Sequence, residues 1–145
     1  MQAARKNVIS VDFAARRRLR ERIPDTPAVA TARDIIGQSR DFLLFWRPPG
    51  RRAAAEYLGS KWDWGWTLFV WTSDSAVGPV WGDLVNDRGY VPQRLTREGF
   101  LSFLRRAGDV GGLLLDGELD GGGHVIRAEP DQLIQRADAL SVLGR

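Results

Sequence analysis

The stretch Lys61-Trp62-Asp63-Trp64-Gly65-Trp66-Thr67-Leu68-Phe69-Val70-Trp71-Thr72 holds four of the six tryptophans of the chain, and whatever fold forms must find room for their rings. Aromatic and β-branched residues fit a pleated, half-buried surface, so the segment is expected to be a strand. Read as one strand, it puts Trp62, Trp64, Trp66, Leu68 and Val70 on one side and Asp63, Gly65, Thr67, Phe69 and Trp71 on the other. From Thr67 onward both sides are apolar or β-forming, the pattern of a central strand covered on two faces. Trp66 and Trp71 are accordingly expected in the core. In the first half Lys61, Asp63 and Gly65 leave one face polar or bare. An indole carries a large apolar area and an N–H that needs a partner, so it suits a surface with one dry and one wet side. Trp62 and Trp64 are therefore the candidates for a stacking or docking platform.

The rest of the chain supplies short elements to pack on that strand. Thr26 as N-cap and Pro27 at the first helical position start a helix in which Val29, Ala32, Ile35 and Ile36 recur at helical spacing. Phe42 to Trp46 reads as a buried strand, stopped by Pro48-Pro49-Gly50. Arg51 to Leu58 reads as a short Ala-rich helix with Gly59 as its C-cap. Ser73-Asp74-Ser75 marks a turn, and Val77 to Val85 and Gly89 to Leu95 read as two strands joined at Asn86-Asp87-Arg88-Gly89. Thr96 caps a helix with Glu98 in its first turn, an apolar stripe of Phe100, Phe103, Leu104 and Ala107, and Arg105 and Arg106 in its last turn. Gly111 to Leu119 and His124 to Ala128 read as a second hairpin, and Pro130 as the start of a last helix with Leu133, Ile134, Ala137 and Leu140 inside. Hairpins and short helices without regular βαβ alternation predict an α+β fold: one small domain with a mostly antiparallel sheet, a central Trp-rich strand and three to four short helices.

Charge divides the chain. Residues 1–22 carry seven basic side chains (Arg5, Lys6, Arg16, Arg17, Arg18, Arg20, Arg22) against Asp12 and Glu21, a net +5 out of a whole-chain +3. Residues 23–145 keep fourteen basic and sixteen acidic side chains, a net −2. The expected organisation is thus a basic N-terminal arm, 1–22, on a near-neutral globular body, 23–145, with any polyanion contact carried by the arm. Within the arm Ile9, Val11 and Phe13 alternate with polar residues like a strand, and Ala14 to Arg22 reads as a helix with Ala15, Leu19 and Ile23 on one side. Apolar residues at regular spacing suit a segment that docks, either by strand addition or as a helix. The other reading is that Val8 to Phe13 adds an edge strand to the protein's own sheet.

Several chemistries are excluded by composition. Without cysteine there is no disulfide, thiolate nucleophile or sulfur-ligated zinc. The one histidine, His124, lies beside three glycines and outside any nucleophile motif, and neither a P-loop nor a G-x-G-x-x-G turn is present. Asp116, Glu118 and Asp120 with Gly121 resemble the first half of a calcium loop, but Arg127 stands where the bidentate glutamate belongs, so the carboxylates read as a solvated strand face. Trp64 to Ser73 is the longest uncharged run, about half of what a membrane helix needs, so no membrane partner is expected. No secretory signal is predicted either, which points to the cytoplasm.

These observations predict a non-enzymatic protein without cofactor or metal, a small accessory, adaptor or inhibitor of the kind mobile genetic elements encode. It would engage a protein partner through Ile9, Val11, Phe13, Arg16, Arg17, Arg18, Leu19, Arg20 and Arg22 of the arm and through Trp62 and Trp64. The alternative is a nucleic-acid-binding accessory factor whose arginines hold phosphates while Trp62 or Trp64 stacks on bases. A third reading, a metal-dependent hydrolase, would use Asp116, Glu118 and Asp120.

Overall fold

The computed structural model describes residues 9–10, 27–51, 55–62, 65–117, 126–127 and 132–145. In chain order the elements are β1 (Ile9–Ser10), α1 (Pro27–Gln38), β2 (Asp41–Arg47), β3 (Glu56–Tyr57), β4 (Gly59–Trp62), β5 (Gly65–Val70) and α2 (Asp74–Trp81), which runs into a π-helical turn, Gly82–Asp87. There follow β6 (Val91–Thr96), α3 (Arg97–Arg106), β7 (Val110–Leu115), β8 (Ile126–Arg127), β9 (Leu133–Gln135) and α4 (Arg136–Leu143). The fold is α+β, with strand orders β3-β2-β6 and β4-β5-β7-β9, and all neighbours in these two sheets are antiparallel except β5 and β7.

The two sheets are joined at a fork. Leu43 of β2 and Trp71, just past β5, exchange both backbone hydrogen bonds (2.8 and 3.0 Å) as an antiparallel pair. Beyond that bridge β2 and β5 part, and the chain from Glu56 to Trp62 fills the gap. It runs down β2 with Tyr57 opposite Trp46, bends at Leu58, and returns along β5 with Gly59 opposite Leu68 and Lys61 opposite Trp66. Leu58 holds both arms of the bend: its amide donates to the Phe45 carbonyl (2.8 Å) and its carbonyl accepts from the Phe69 amide (3.1 Å). Its side chain is fully buried.

Strand alternation then sorts the apolar residues between two cores. Leu43, Phe45, Phe69, Trp71 and Leu114 pack with Val77, Val80 and Leu84 of α2 and the turn after it. Phe42, Leu44, Leu68, Val70, Leu113 and Leu115 pack with Ala32 and Ile36 of α1, Phe100 and Leu104 of α3, and Ala139, Val142 and Leu143 of α4. A sheet covered on both faces needs apolar residues at consecutive positions, which is why Phe42 to Trp46, Leu68 to Trp71 and Leu113 to Leu115 are uninterrupted apolar runs. The outermost strand of the first sheet is β6. Because Leu43 and Phe45 spend their polar backbone groups on Trp71 and Leu58, β2 meets β6 through its even-numbered residues. Pro92, opposite Phe45, therefore has its missing N–H on the outer edge, where no ladder bond is lost.

Two arginines tie the helices together at their C-termini, where carbonyls lack intrahelical partners and the helix dipole is negative. Arg97 donates through Nη1 to the carbonyls of Ile36 (2.9 Å), Gly37 (3.3 Å) and Ser39 (3.4 Å), and through Nη2 to Val142 (2.7 Å). It thus closes α1 and α4 at once. Arg136 does the same for α3, with Nη2 2.7 Å and Nε 3.2 Å from the Leu104 carbonyl. Arg97→Ala is expected to cost about 2 kcal/mol in denaturant unfolding, the worth of charged hydrogen bonds to carbonyls at two helix ends. Arg97→Lys should recover only part of this, since one ammonium cannot reach both helix ends. A loss below about 0.5 kcal/mol would show that water caps these helices equally well.

Several sequence expectations are borne out. α1, β2 and α3 lie where the pattern put them, and Thr96 Oγ1 accepts from the Gly99 amide (3.1 Å) as the cap of α3. Others are corrected. The tryptophan stretch is a hairpin, β4 and β5, closed where Trp62 pairs with Gly65, so its indoles do not line one side of a single strand. Glu56–Tyr57 is strand where a helix over Arg51 to Leu58 was expected. Cross-strand partners hold these two residues: Trp46 stacks on Tyr57 with centroids 6.2 Å apart, and Arg47 Nη1 lies 2.8 Å from Glu56 Oε1.

Val77 to Val85 is helix and turn, not strand. Ser73 Oγ accepts from the Ala76 amide (3.1 Å), and the cap sets Val77, Val80 and Leu84 at helical spacing against the sheet, overriding the β-preference of the valines. Among the described residues of the expected second hairpin, Val110–Leu115 does not pair with Ile126–Arg127. β7 pairs with β5 and β9, while β8 pairs in parallel with β1, Ile9 opposite Ile126 and Ser10 opposite Arg127. The final helix begins at Arg136, with Ala139, Val142 and Leu143 inside and Ala137 exposed. Leu133 and Ile134 precede it as strand and enter the two different cores.

Candidate functional site

A cleft of about 300 Å³ opens between the fork and α3. Its bottom is Gly59, Leu68, Ala107 and Val110; Tyr57, Phe103 and Trp66 are its aromatic walls, and Glu56 and Asp109 stand at its mouth. The walls follow from the fold. Tyr57 sits on β3, in the first arm of the bend, and its hydroxyl is 3.0 Å from Gln93 Oε1. Phe103 is on α3, one turn after Phe100, and meets Tyr57 edge-on with centroids 5.0 Å apart. Trp66 is on β5, with its backbone amide donating to the Asp109 carbonyl (3.1 Å). The same bond fixes Asp109 beside the indole.

The cleft has polar and apolar parts of distinct character. Trp66 is 38% exposed, a large fraction for an indole on a central strand. Around the corner the aromatic surface continues through Trp46, stacked on Tyr57, to Val91, which faces Trp46 across β2 and β6 and is 39% exposed. At the mouth Glu56 is paired with Arg47. Among the described residues the exposed Asp109 carboxylate has no ion pair or hydrogen bond.

A second, wider groove of about 460 Å³ lies between Ser39–Asp41 and Thr72–Asp74. Several of its polar groups bond within the fold: Arg94 bonds Asp74 (2.9 Å), and Ser39 Oγ donates to the Ile35 carbonyl (2.6 Å). Nearby, Asp116 acts as a brace. Its backbone turns left-handed (φ 52°), Oδ1 accepts from the Thr72 amide and Oδ2 from the Thr72 hydroxyl, each at 2.8 Å. This corrects the reading of Asp116 as one of a row of solvated strand carboxylates: β7 has ended at Leu115, and both oxygens are spent on joining its end to that of β5. Among the described residues no three His, Cys, Asp or Glu side chains are grouped as metal ligands.

The sequence-based candidates are distributed unevenly. Ile9 is paired through its backbone with Ile126. Val11, Phe13, Arg16, Arg17, Arg18, Leu19, Arg20 and Arg22 lie outside the described residues, as do Trp64, Glu118, Asp120 and His124. Trp62 closes the β4–β5 hairpin at its backbone. Trp66, expected in the core with Trp71, is at the cleft instead; Trp71 is buried to 1% exposure. Tyr57, Phe103 and Asp109 were not singled out as a site. Phe103 falls on the apolar stripe of α3, but that stripe outruns the sheet it covers, and its last aromatic emerges at the cleft. No helix among the described residues is long and apolar enough to cross a membrane. Comparison of the chain with protein-family models, curated proteins and solved structures finds no match.

Proposed function

We propose that this protein is a non-enzymatic accessory or adaptor that docks a protein partner on the Tyr57–Phe103–Trp66 cleft, with the N-terminal arm as a second contact. The observation that carries the reading is the exposed Trp66 at an aromatic cleft whose Tyr57 wall stacks on the half-buried Trp46, itself opposite the exposed Val91. Exposed aromatic rings gathered around a depression are what interface hot spots are made of. The Asp109 carboxylate at the mouth favours a protein over a nucleic acid there, because it would repel phosphate. The arm adds Ile9, Val11, Phe13 and Leu19 as apolar contacts and its arginines as steering charge.

The test is capture from native lysate on immobilised full-length protein, with and without nuclease. Trp66→Ser is expected to reduce the captured partner by about tenfold or more, the usual loss at an aromatic hot spot, while lowering stability by no more than about 1.5 kcal/mol. Capture untouched by Trp66→Ser would sink the cleft as the docking site.

A second reading is favoured by the +5 charge of residues 1–22: the arm would hold nucleic acid through Arg16, Arg17, Arg18, Arg20 and Arg22. Neutralising four or five phosphates would give a log–log salt slope of about −3 to −4.5, a loss of roughly 60- to 500-fold between 50 and 200 mM salt. Nuclease-sensitive capture with that salt dependence, lost on changing Arg16, Arg17 and Arg18 to alanine but kept with Trp66→Ser, would select it.

A further inference from the structure

We infer that the cleft receives a cationic side chain, an arginine of the docked partner, with its guanidinium against the rings of Trp66, Tyr57 and Phe103 and its charge balanced by Asp109. The inference rests on the docking reading and adds the chemistry of the group that enters. A guanidinium is planar, weakly hydrated and attracted to the negative faces of aromatic rings, Trp above all. The cleft offers three such rings, two of them inclined to each other at 67°. At about 300 Å³ it is at the lower end of the range for small-molecule sites, with room for an arginine side chain.

The charges at the mouth choose between occupants. Arg47 already balances Glu56 at 2.8 Å, which leaves Asp109 as the carboxylate with nothing opposite it among the described residues. An apolar side chain seated here would strip water from Asp109 without replacing its hydrogen bonds, and that costs free energy. A phosphate or a nucleotide would be repelled. An arginine supplies both the countercharge and N–H donors. Positive groups are close by: Lys61 faces Trp66 across the β4–β5 pair, and Arg105 and Arg106 end α3, where Arg106 Nη1 donates to Ser102 Oγ (2.7 Å). None of the three lines the cleft.

The probes are N-acetyl-arginine amide and its citrulline counterpart, which keeps the shape and loses the charge, titrated into 15N-labelled full-length protein at constant ionic strength. The readout is the indole N–H resonance of Trp66, assigned by its disappearance in Trp66→Leu. Arginine amide is expected to shift that resonance saturably, with an affinity about three- to tenfold above that of the citrulline amide. Asp109→Asn should erase most of the difference, and Phe103→Leu should weaken both probes, while Lys61→Ala should leave the arginine affinity equal or higher. Equal affinity of the two amides, or no saturable shift with either, overturns the inference. So does saturable binding seen in Lys61→Ala but absent in the unsubstituted protein, which would show that the cleft is filled by the chain's own lysine. If lysate capture still depends on Trp66 while the arginine probe fails, the docking reading stands and only the cationic occupant falls. If arginine binds but capture ignores Trp66, the reverse holds.

Discussion

Trp71→Ala is expected to destabilise the protein by about 3–5 kcal/mol and lower the melting temperature by about 10 °C or more. The side chain is 1% exposed, its ring stands edge-on to Phe45 with centroids 5.4 Å apart, and its Nε1 donates to the Gly117 carbonyl (3.1 Å). Truncation removes the ring and also leaves that carbonyl, at a buried glycine, without its donor. The backbone bonds to Leu43 survive, so the fork persists with a cavity beside it. Trp71→Phe should cost about half as much, restoring most of the volume but not the N–H. Trp66→Ala, five residues earlier on the same chain segment, should cost at most about 1.5 kcal/mol. Equal losses at the two positions in equilibrium unfolding would place both indoles in the core and close the cleft.

That contrast shows what was legible from residues alone. Periodicity found the elements whose side chains repeat over several turns or a full strand: α1, β2, α3 and the doubly covered half of β5. It also identified the apolar character of Leu133 and Ile134, but three residues are too few to tell a strand from a helix, and the two side chains go to opposite faces of the sheet. The α2 segment misled for a different reason. Its valines prefer strands, and only the Ser73 cap and the sheet beneath Val77, Val80 and Leu84 decide for helix.

The candidate site was less legible still, because it is made where elements run out. Tyr57 belongs to a two-residue strand, Phe103 to a helical turn extending past the sheet, and Asp109 to the link between α3 and β7. Their proximity depends on the bend at Leu58, a long-range feature with no local signature. Asp116 shows the converse. Its spacing with Glu118 and Asp120 suggested a shared face, whereas the fold spends both its carboxylate oxygens on Thr72, at |i−j| = 44.

Gly59→Ala is expected to cost about 3 kcal/mol or more for the addition of a single methyl. A Cβ on Gly59 would lie 2.4 Å from the Thr67 carbonyl oxygen, 3.3 Å from the Thr67 carbonyl carbon and 3.4 Å from Leu68 Cα. All three atoms are backbone of β5, so no rotamer can yield and the two strands must separate just where Leu58 turns the chain. Gly78→Ala is the control: its Cβ meets nothing within 4 Å, and in the interior of α2 the change should stabilise by up to about 1 kcal/mol. Asparagine separates this account from the reading of Gly59 as the end of a helix. A helix C-cap glycine is needed for a left-handed backbone, which asparagine adopts at modest cost. A close strand crossing has no room for asparagine's larger side chain, so Gly59→Asn should be at least as destabilising as Gly59→Ala in urea unfolding. If Gly59→Asn were instead the milder of the two, the constraint at residue 59 would be one of backbone conformation, and the tight pairing of β4 with β5 behind the cleft would have to be abandoned.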